Sequence, residues 1–366
     1  MKSIQRVIVL TNTLKAGGAE KQSIMLANAL QNDYPTYLIV YYDNGFDQRL
    51  KHLTEKYNIS VLWLIGSHLK KLFYLYKLFK REKNTVVFSY LATTNFINAI
   101  IGKIAGIKFR VGGIRNAKLD RSKFYIQRIL HNYFLTCSVF NNYQGEKDLC
   151  SSGFNEKKAI IIPNCHEISR PILDNKTIKG VLNIITIGRF VDQKDYFTSL
   201  DAIRLLKDKL TESNSEVIIK YTIVGYGKIE YEIRNYVHKQ KLDEIVDILI
   251  NPLNAINYLE DAHIYLSTSL FEGLSNSIME AMEYSLPIVA TNVGDNSKLV
   301  IEGETGFLAN VQDARAIAEK LQILIENNEL RNIMGQNGYI HLAKDFSLSK
   351  FKSNYIDLIS KLNNNE

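Results

Sequence analysis

The amino-acid sequence predicts an α/β protein that contains two doubly wound parallel sheets. Short apolar runs rich in β-branched residues alternate with amphipathic helical patterns along nearly the whole chain. This alternation is typical of parallel strands joined by helices. A polar stretch at 169–179 interrupts the pattern, which then begins again with a new strand. The 366 residues therefore divide into two domains of ordinary size.

The first half opens with the strand pattern Arg6–Leu10, followed by Gly17 and Gly18 and then by a helix pattern. Paired glycines let the backbone approach a ligand closely. Ligands of such sheets bind at the carboxyl ends of the strands. The remaining strand patterns of this half are 37–42, 61–65, 86–90, 109–114, 138–140 and 160–162, with helix patterns that begin near Gln48, Ser67, Thr94, Ser122 and Tyr143.

In the second half, a strand pattern at 182–187 is followed by Gly188, Arg189 and Lys194. Two cations five residues apart on one loop can converge on a diphosphate, which arginine binds bidentately and lysine binds as a point charge. An isolated pair of this kind is more often a solvated loop. Later strand patterns cover 221–227, 245–251, 264–266 and 288–290, and helix patterns cover 314–326 and 346–362.

The segment 264–296 contains a strand, a turn broken at Gly273, and a helix that Pro287 ends. Ser275, Asn276 and Ser277 are candidate N-caps of that helix. The free N–H groups and dipole of such a helix start favour a bound phosphate. Two carboxylates, Glu272 and Glu280, flank the turn. Residues 277–280 also form a capping-box pattern, which would make Glu280 purely structural.

These residues resemble a known family. The segment FEGLSNSIMEAMEYSLPIVAT is similar to the paired-glutamate signature of the nucleotide-sugar-dependent retaining glycosyltransferases of family 4, which have the GT-B fold. GGAE at 17–20, GRFVDQK at 188–194, IPN at 162–164 and GETGF at 303–307 match further family features in the same order. The resemblance therefore spans most of the chain.

The resemblance implies a role for each matching residue. Gly17 and Gly18 would face the donor's phosphates and sugar, Arg189 and Lys194 would neutralise the leaving diphosphate, and Glu272 would hold hydroxyls of the donor sugar. Glu280 would bind the ribose. The acceptor would attack on the leaving-group face, so the anomeric configuration is retained. The remaining donor-site positions are Gly188, Gly225, Asn251, Gly273, Leu274, Ser275, Asn276 and Ser277, with Asn251 next to the base.

The chain departs from the family pattern at three places. Leu286 and Tyr226 stand where glycine and aspartate are common, and Arg115-Asn116 stands where a histidine is usual. We expect Arg115 near the acceptor or the phosphates, although an arginine paired with a surface carboxylate is equally consistent. His131 and His166 are the nearest histidines, and each is expected to be a satisfied, partly buried side chain.

Composition narrows the classes of partner. The net charge of +7 suits an anionic partner, whether phosphates, a membrane surface or nucleic acid. No aromatic and basic reading motif accompanies it, so nucleic acid is not expected. There is no uncharged apolar run of eighteen residues, no cysteine pair at metal or redox spacing, and no histidine motif for a metal. We therefore expect reduced thiols, no metal and no cofactor.

Two segments of the first half could contact a membrane. Residues 69–83 place Leu69, Leu72, Phe73, Tyr76 and Phe79 at helical spacing among lysines and arginines, and residues 123–135 show a weaker version. A basic amphipathic helix with aromatics fits an interfacial helix. The basic outer face of a helix packed on a sheet fits equally well, and the pattern alone favours this second interpretation.

Together these observations predict a metal-independent retaining glycosyltransferase of the hexosyltransferase type. Its donor would be a nucleoside-diphosphate hexose or N-acetylhexosamine, with UDP as the expected nucleotide, and its acceptor a lipid-linked or other glycan. Residues 1–168 with 346–366 would form the acceptor-side domain, and 169–345 the donor-binding domain across a cleft. We expect a cytoplasmic protein, peripheral on the inner membrane face. The alternatives are a catalytically silent sugar-nucleotide or glycan-binding module and a GT-B sugar-nucleotide epimerase.

Overall fold

The computed structural model describes residues 4–15, 17–43, 45–82, 84–115, 121–173, 180–213, 216–252 and 254–364. The contacts divide the chain into two compact units. The first comprises 1–165 and 346–366, and the second comprises 166–345. Each unit is an α/β layer structure around a parallel sheet, so the predicted fold class is confirmed.

The sheet of the first unit has seven parallel strands in the order β3-β2-β1-β4-β5-β6-β7. Successive residues of β1 alternate between two cores: Val7 and Val9 enter one apolar cluster, and Ile8 and Leu10 enter the other. Burial on both faces explains why these strands are almost continuously apolar. The strands are β1 (Arg6–Thr11), β2 (Thr36–Val40), β3 (Val61–Trp63), β4 (Thr85–Tyr90), β5 (Phe109–Ile114), β6 (Cys137–Phe140) and β7 (Ala159–Ile161).

Helices cover both faces of this sheet. The C-terminal helix α14 packs beside α1, and its side chains Phe351, Tyr355 and Ile359 are buried in the same cluster as β1. The helices are α1 (Gly18–Leu30), α2 (Gln48–Lys56), α3 (His68–Arg81), α4 (Ala92–Ile97), α5 (Lys103–Ala105), α6 (Arg121–Ile129) and α7 (Tyr143–Ser151), with π-helical turns at Asn98–Gly102 and Leu130–Phe134.

The second unit contains a six-stranded parallel sheet in the order β10-β9-β8-β11-β12-β13. Its strands are β8 (Val181–Arg189), β9 (Ile218–Tyr226), β10 (Val246–Ile250), β11 (Ile264–Ser267), β12 (Ile288–Thr291) and β13 (Gly306–Ala309). Its helices are α8 (Tyr196–Glu212), α9 (Glu230–Lys239), α10 (Asn276–Glu283), α11 (Asn296–Leu299), α12 (Ala314–Glu326) and α13 (Asn328–Asp345), and α14 (Leu348–Asn364) then returns to the first unit.

Helix α13 is absent from the sequence-based prediction. Its contact surface includes Gly335, where a side chain would overlap the backbone carbonyl of Ser285. Small residues that allow close helix packing weaken the apolar periodicity on which helix prediction depends. The predicted C-terminal helix pattern 346–362 therefore describes only the last of two consecutive helices.

The predicted linker 169–179 is only partly a linker. The second unit begins at 166, and the described residues up to 173 are bonded within it. The hydroxyl of Tyr339 donates to the carbonyl of Arg170 at 2.7 Å, and the backbone N–H of Leu173 donates to Ser285 Oγ at 3.1 Å. The first unit thus ends at residue 165, three residues before the predicted boundary at 168. Residues 174–179 of the predicted linker lie outside the described residues.

Candidate active site

The candidate donor site lies where the strand order of the second unit reverses. Strand β8 is followed along the chain by β9 on one side, whereas β11 lies on its other side. The loops after β8 and β11 therefore diverge at one edge of the sheet, which is the place where open α/β sheets bind ligands. Arg189 is the last residue of β8, Lys194 lies on the loop that follows it, and Glu272 lies on the loop after β11.

Lys194 and Glu272 form the closest charged contact of this site. Lys194 Nζ lies 2.6 Å from Glu272 Oε1, and both side chains are largely buried, with 16% and 10% exposed. The hydroxyl of Ser269 donates to the same carboxylate oxygen at 2.8 Å. A cation and a carboxylate that lie 78 positions apart in sequence are thus held together beside the strand ends.

Backbone contacts hold the two loops together. The N–H of Leu270 donates to the carbonyl of Gln193 at 2.8 Å, and Gln193 Nε2 donates to the carbonyl of Phe271 at 2.7 Å. Asp195 has a left-handed backbone (φ 44°), and its carbonyl accepts the hydroxyl of Thr268 at 2.8 Å. These contacts hold the backbone around Lys194 and Glu272 without using the charge of either side chain. An electrostatic site requires this kind of preorganisation.

Arg189 differs from Lys194. It is the last residue of β8, its side chain is exposed, and no hydrogen bond or ion pair joins that side chain to the described residues. Its carbonyl accepts the hydroxyl of Tyr196 at 3.3 Å, which holds the backbone. The guanidinium is thus positioned at the strand end and open to an anion.

Gly188 and Gly225 are needed for packing. A side chain at Gly225 would overlap the carbonyl oxygen of Gly188, and one at Gly188 would lie 3.0 Å from the hydroxyl of Tyr196. Asn251 follows β10 with a left-handed backbone (φ 41°), and its N–H donates to the carbonyl of Gly225 at 2.8 Å. These residues bring the ends of β8, β9 and β10 close together, and their contact with a donor stays a prediction.

Helix α10 begins at Asn276, with Ser275 as its N-cap, and no side chain of the described residues caps it. Ser275 Oγ instead lies 3.2 Å from Ser277 Oγ. The capping-box interpretation is therefore wrong, because Ser277 is inside the helix and Glu280 is its fifth residue. An N-terminus without a side-chain cap leaves N–H groups for an anion.

Around this helix, Leu274 and Ser275 are buried, whereas Glu280 is half-buried. The backbone N–H of Asp295 donates to the carbonyl of Gly273 at 3.1 Å and holds the turn. Burial chiefly raises the pKa of Tyr265, and the nearby carboxylate of Glu280 adds to this increase. Glu280 thus lies between the helix start and a neutral phenol.

In the first unit, Gly17 is the N-cap of α1 and Gly18 its first residue, again with no side-chain cap among the described residues. Thr13 donates to Glu20 Oε1 at 3.1 Å. The pair Gly17-Gly18 thus presents bare backbone after β1, at the point where the strand order of this sheet reverses between β1 and β4.

Arg115 follows β5 and is held by aromatic and amide groups. Its guanidinium lies 4.1 Å above the ring of Tyr90, and its terminal nitrogens lie 3.4 Å from Asn164 Oδ1 and from the hydroxyl of Tyr355. Its Nε is buried and has no acceptor among the described residues. The interpretation as an arginine paired with a surface carboxylate is therefore wrong. Asn116, its predicted neighbour, lies outside the described residues.

A cavity of about 250 Å³ adjoins Arg115 at the carboxyl ends of β1, β4 and β5. Two of its residues, neither of them expected from the sequence, have unusual features. Asn12 has a buried Oδ1 without a partner among the described residues, and Leu91 has a left-handed backbone (φ 75°), which is costly for a branched side chain and occurs most often at functional sites. The lining comprises Asn12, Leu91, Ala92, Thr93, Asn95, Gly113, Ile114, Arg115, Lys123 and Gln127.

Both histidines near the predicted acceptor position are satisfied within the fold, as expected. His131 is fully buried, and its ring nitrogens lie 2.9 Å from Ser138 Oγ and from the carbonyl of Asn155. His166 Nε2 lies 2.6 Å from Glu283 Oε2.

Glu283 was also missed in the sequence. Its other oxygen accepts from the backbone N–H and the hydroxyl of Ser169 at 2.7 and 2.8 Å. Burial alone would raise the pKa of Glu283, but hydrogen bonds from His166 and Ser169 outweigh it and lower this pKa to about 2. Glu283 therefore anchors the first residues of the second unit to α10.

The described residues contain no group of three or more histidine, cysteine, aspartate or glutamate side chains that could hold a metal ion. None of their helices has both the length and the apolar character that crossing a bilayer requires.

Comparison with solved structures defines the class of fold. HepE of Anabaena in complex with UDP superposes with a TM-score of 0.82 over 98% of this chain and all of that chain, at 16% identity. TarM superposes with a TM-score of 0.78 over 98% of this chain and 99% of that chain, at 14% identity. The fold is that of the GT-B glycosyltransferases, as the resemblance implied.

The sequence comparison agrees with the fold. Residues 173–341, nearly all of the second unit, match the model of the glycosyl transferases group 1, so the resemblance noted in the sequence is confirmed. An α-1,4-N-acetyl-D-galactosaminyltransferase of Campylobacter jejuni, whose name specifies an undecaprenol-diphosphate-linked substrate, is 26% identical over 99% of this chain and 100% of its own length. A UDP-Gal:α-D-GlcNAc-diphosphoundecaprenol α-1,3-galactosyltransferase of Escherichia coli is 23% identical over 82% of each chain.

Proposed function

We propose that this protein transfers a hexose or N-acetylhexosamine from a UDP-sugar to a lipid-linked oligosaccharide in surface polysaccharide synthesis. The transfer retains the anomeric configuration and needs no metal. The observation that carries the proposal is the loop pair of the second unit, in which Lys194 and Glu272 are held 2.6 Å apart beside the exposed Arg189. Both relatives described above are named for transfer to diphosphoundecaprenol-linked sugars.

The leaving UDP requires positive charge at its β-phosphate, because cleavage of the glycosidic bond places negative charge there. Arg189, Lys194 and the start of α10, which no described side chain caps, supply it from the segments that follow the neighbouring strands β8 and β11. Preorganised cations and helix dipoles contribute several kcal/mol in a site from which water is excluded. We infer that these groups take the place that a divalent cation has in metal-dependent transferases.

Glu272 is suited to hold the donor sugar. Its Oε1 accepts from both Lys194 and Ser269, which leaves Oε2 to accept from sugar hydroxyls. A carboxylate with two donors on one oxygen is a weak nucleophile, so we propose attack by the acceptor on the leaving-group face, with the phosphate receiving the acceptor's proton. Glu280 then binds the ribose, and Asn251 borders the base.

For the acceptor, we propose the first-unit cavity beside Arg115. Asn12 Oδ1 and Arg115 Nε are buried without partners among the described residues, and they offer one acceptor and one donor. A glycan with neighbouring hydroxyls satisfies both kinds of group. Burying such atoms unpaired costs about 1–3 kcal/mol each, which a bound ligand would recover.

We further propose that the first unit binds the inner leaflet, where a lipid-linked acceptor resides. In α3, Phe79 is buried but Leu69 and Phe73 are 80% and 57% exposed, and Lys77 Nζ lies over the ring of Phe73 at 4.5 Å. The apolar residues of this helix thus divide between the core and solvent, so neither sequence-based interpretation describes it alone. Exposed aromatics beside cations are typical of interfacial helices.

A second group of exposed apolar and aromatic side chains lies in the same unit. Helix α6 and the turn after it expose Tyr125, Ile126, Ile129 and Tyr133 by 46–73%. The proposed location is cytoplasmic and peripheral, with both helices at the lipid headgroups.

The donor is tested by thermal stabilisation with a panel of UDP- and GDP-sugars, with and without EDTA. We expect one UDP-sugar to raise the melting temperature equally in both conditions. A shift that EDTA abolishes would contradict metal independence. If no nucleotide sugar produced a shift, the donor site would be rejected.

Turnover is tested with the stabilising donor and a synthetic polyprenyl-diphosphate-linked N-acetylhexosamine, and NMR of the product reports its anomeric configuration. An α-donor should give an α-linked product. Binding without turnover would favour the silent module, whereas release of an epimerised nucleotide sugar would favour the epimerase.

Membrane binding is tested by co-sedimentation with phosphatidylglycerol vesicles. Replacing both Leu69 and Phe73 by serine should reduce the bound fraction severalfold, because it removes the exposed apolar surface of α3. The matched control replaces the similarly exposed Ile333 and Ile340 of α13, and should bind as the unmodified protein does. Equal losses in both variants would contradict a specific membrane surface.

A further inference from the structure

The first unit contains a second cavity, which lies toward the opposite end of the strands from the cavity beside Arg115. It has a volume of about 580 Å³ and lies between α3 and the amino-terminal parts of β1, β2 and β3. Cavities of this size typically hold small molecules. Its lining comprises Arg6, Ile8, Tyr37, Ile39, Ser60, Val61, Leu62, Tyr74, Leu78, Arg81 and Glu82. The proposed transfer reaction uses none of these residues.

The walls of this cavity combine apolar and polar side chains. Ile8 and Ile39 line it but are almost fully buried, so Leu62 of β3 and Leu78 of α3 provide half-buried aliphatic surface on its two sides. Tyr37 and Tyr74 are 41% and 47% exposed, so aromatic surface on both the sheet and the helix remains accessible to solvent. An elongated apolar group could therefore be buried between α3 and the sheet.

The polar lining is cationic overall. Arg6 and Arg81 both contact the carboxylate of Glu82, so two positive charges share one negative charge. Arg6 also lies over the ring of Tyr37 at 5.6 Å, and its Nε is buried with no acceptor among the described residues. An oxyanion would satisfy that donor and balance the excess charge, and charge-assisted bonds of this kind are the stronger ones.

We propose that this cavity binds a single-chain anionic lipid, with its alkyl chain between Leu62 and Leu78 and its anionic group at Arg6 and Arg81. A fatty-acid carboxylate is the simplest such molecule. Aliphatic and aromatic side chains beside one net positive charge match the two parts of an amphiphile of this type. Helix α3 also exposes Leu69 and Phe73 to solvent, so the same helix offers a lipid both an outer surface and an inner cavity.

Tryptophan fluorescence can report the binding of a lipid in this cavity. Trp63 is the single tryptophan of the sequence. It follows the lining residues Val61 and Leu62 in the edge strand β3, and its ring packs against Phe46 with a centroid distance of 5.2 Å. Its ring packs on the face of the sheet opposite to Ile8, Ile39 and Leu62, so a brominated chain in the cavity would lie one sheet thickness away and would partly quench its fluorescence.

The experiment titrates the full-length protein with 11-bromoundecanoate at pH 8, below the concentration at which the amphiphile aggregates. We expect saturable quenching that undecanoate reverses by competition. Undecyl maltoside should compete at least about tenfold more weakly, since it lacks the charge that Arg81 recognises. Neither nucleotide nor acceptor is present, so the result does not depend on the proposed transferase activity.

Two variants test whether the lipid binds in this cavity. Leu78→Phe fills the cavity, and Arg81→Gln removes its more exposed cation without altering an apolar wall. Each should weaken binding about tenfold or more. The matched controls are Ile333→Phe on α13 and Arg234→Gln on α9, where the arginine bonds a neighbouring glutamate much as Arg81 does. Trp63 emission and the melting temperature in the absence of lipid verify that each variant is folded.

Several outcomes would overturn the proposal. Quenching that rises linearly without saturation would indicate nonspecific contact. Equal competition by undecyl maltoside would remove the anionic requirement, and wild-type affinity in folded Leu78→Phe and Arg81→Gln would place the ligand elsewhere.

Discussion

The two units use the same sheet architecture but present their cations differently. In each, the strand order reverses beside the first strand, and loops at that point carry the predicted site residues. In the second unit, Arg189 is exposed and Lys194 is paired with a carboxylate. In the first, Arg115 is enclosed by Tyr90, Tyr355 and Asn164, and none of the carboxylates that the structure describes bonds to it.

This difference suggests different tasks. The ammonium group of Lys194 is held in position by Glu272. It can shift toward a diphosphate when the donor binds. A guanidinium held by neutral groups keeps its charge uncompensated, so it attracts a polar or anionic ligand without first breaking an ion pair. The comparison predicts that changes in the second unit affect the chemical step and that changes near Arg115 affect the acceptor.

The largest effect is expected for Lys194→Ala. Loss of this cation should reduce kcat by about 100- to 1,000-fold, as loss of one preorganised electrostatic contact typically does. Steady-state kinetics with the identified donor would measure it. The control is Lys228→Ala, whose cation bonds Asp192 on the same loop but is 69% exposed. Full activity of the Lys194 variant would contradict the electrostatic argument, and Glu272→Ala should also abolish transfer.

Acid should affect the two units differently at the point where the chain passes from the first to the second. Each unit binds that segment with a different kind of side chain. The first unit uses a neutral amide, as Gln22 bonds both the N–H and the carbonyl of Cys165. The second uses the carboxylate of Glu283. Because folding lowers the pKa of Glu283 from 4.5 to about 2, its contribution is complete above pH 4.5 and is lost as the pH falls toward 2.

Glu283→Gln should therefore cost about 3 kcal/mol of unfolding free energy at pH 7 and remove this part of the acid dependence. Urea unfolding of both proteins at pH 7 and at pH 3 measures it. Glu326→Gln, an exposed change on α12, serves as the control. If the difference in unfolding free energy between the two proteins were the same at pH 7 and at pH 3, protonation of Glu283 would not be what weakens this contact.

A smaller effect is expected for Glu280→Gln. Replacing the half-buried carboxylate by an amide should weaken UDP binding about tenfold, because hydrogen bonds from ribose hydroxyls to a charged acceptor are worth roughly 1.5–3 kcal/mol. Calorimetric titration with UDP measures the change. If the affinity were unaltered while the acceptor KM rose, Glu280 would belong to the acceptor side.

The smallest effect is expected for Tyr355→Phe, which removes one hydroxyl from the Arg115 cluster while its ring stays packed on Phe88. The acceptor KM should rise about threefold to tenfold with kcat unchanged, since loss of one hydrogen bond to a charged group costs about 1–1.5 kcal/mol. Donor affinity should not change. A fall in kcat without a change in KM would place Arg115 in the chemical step.

Much of the fold was predictable because it depends on local patterns. Strand β5 and helix α12 have the predicted bounds, since apolar runs and amphipathic periods are written in consecutive residues. The loop motifs after β8 and β11 were also recognisable, because their glycines and charges lie close together in sequence. Helix α13 was missed where glycine packing replaces apolar periodicity.

The sequence alone determined the alternation of strands and helices, the motifs that resemble a family and the residue types available to a donor. Only the tertiary structure decided which of them meet. It placed Lys194 against Glu272, excluded Ser277 as a cap, and surrounded Arg115 with Tyr90 and Tyr355. It also revealed Glu283, whose partners His166 and Ser169 lie more than a hundred positions away. Local patterns specify elements, whereas the pairing of distant side chains depends on strand order, which no short stretch of sequence encodes.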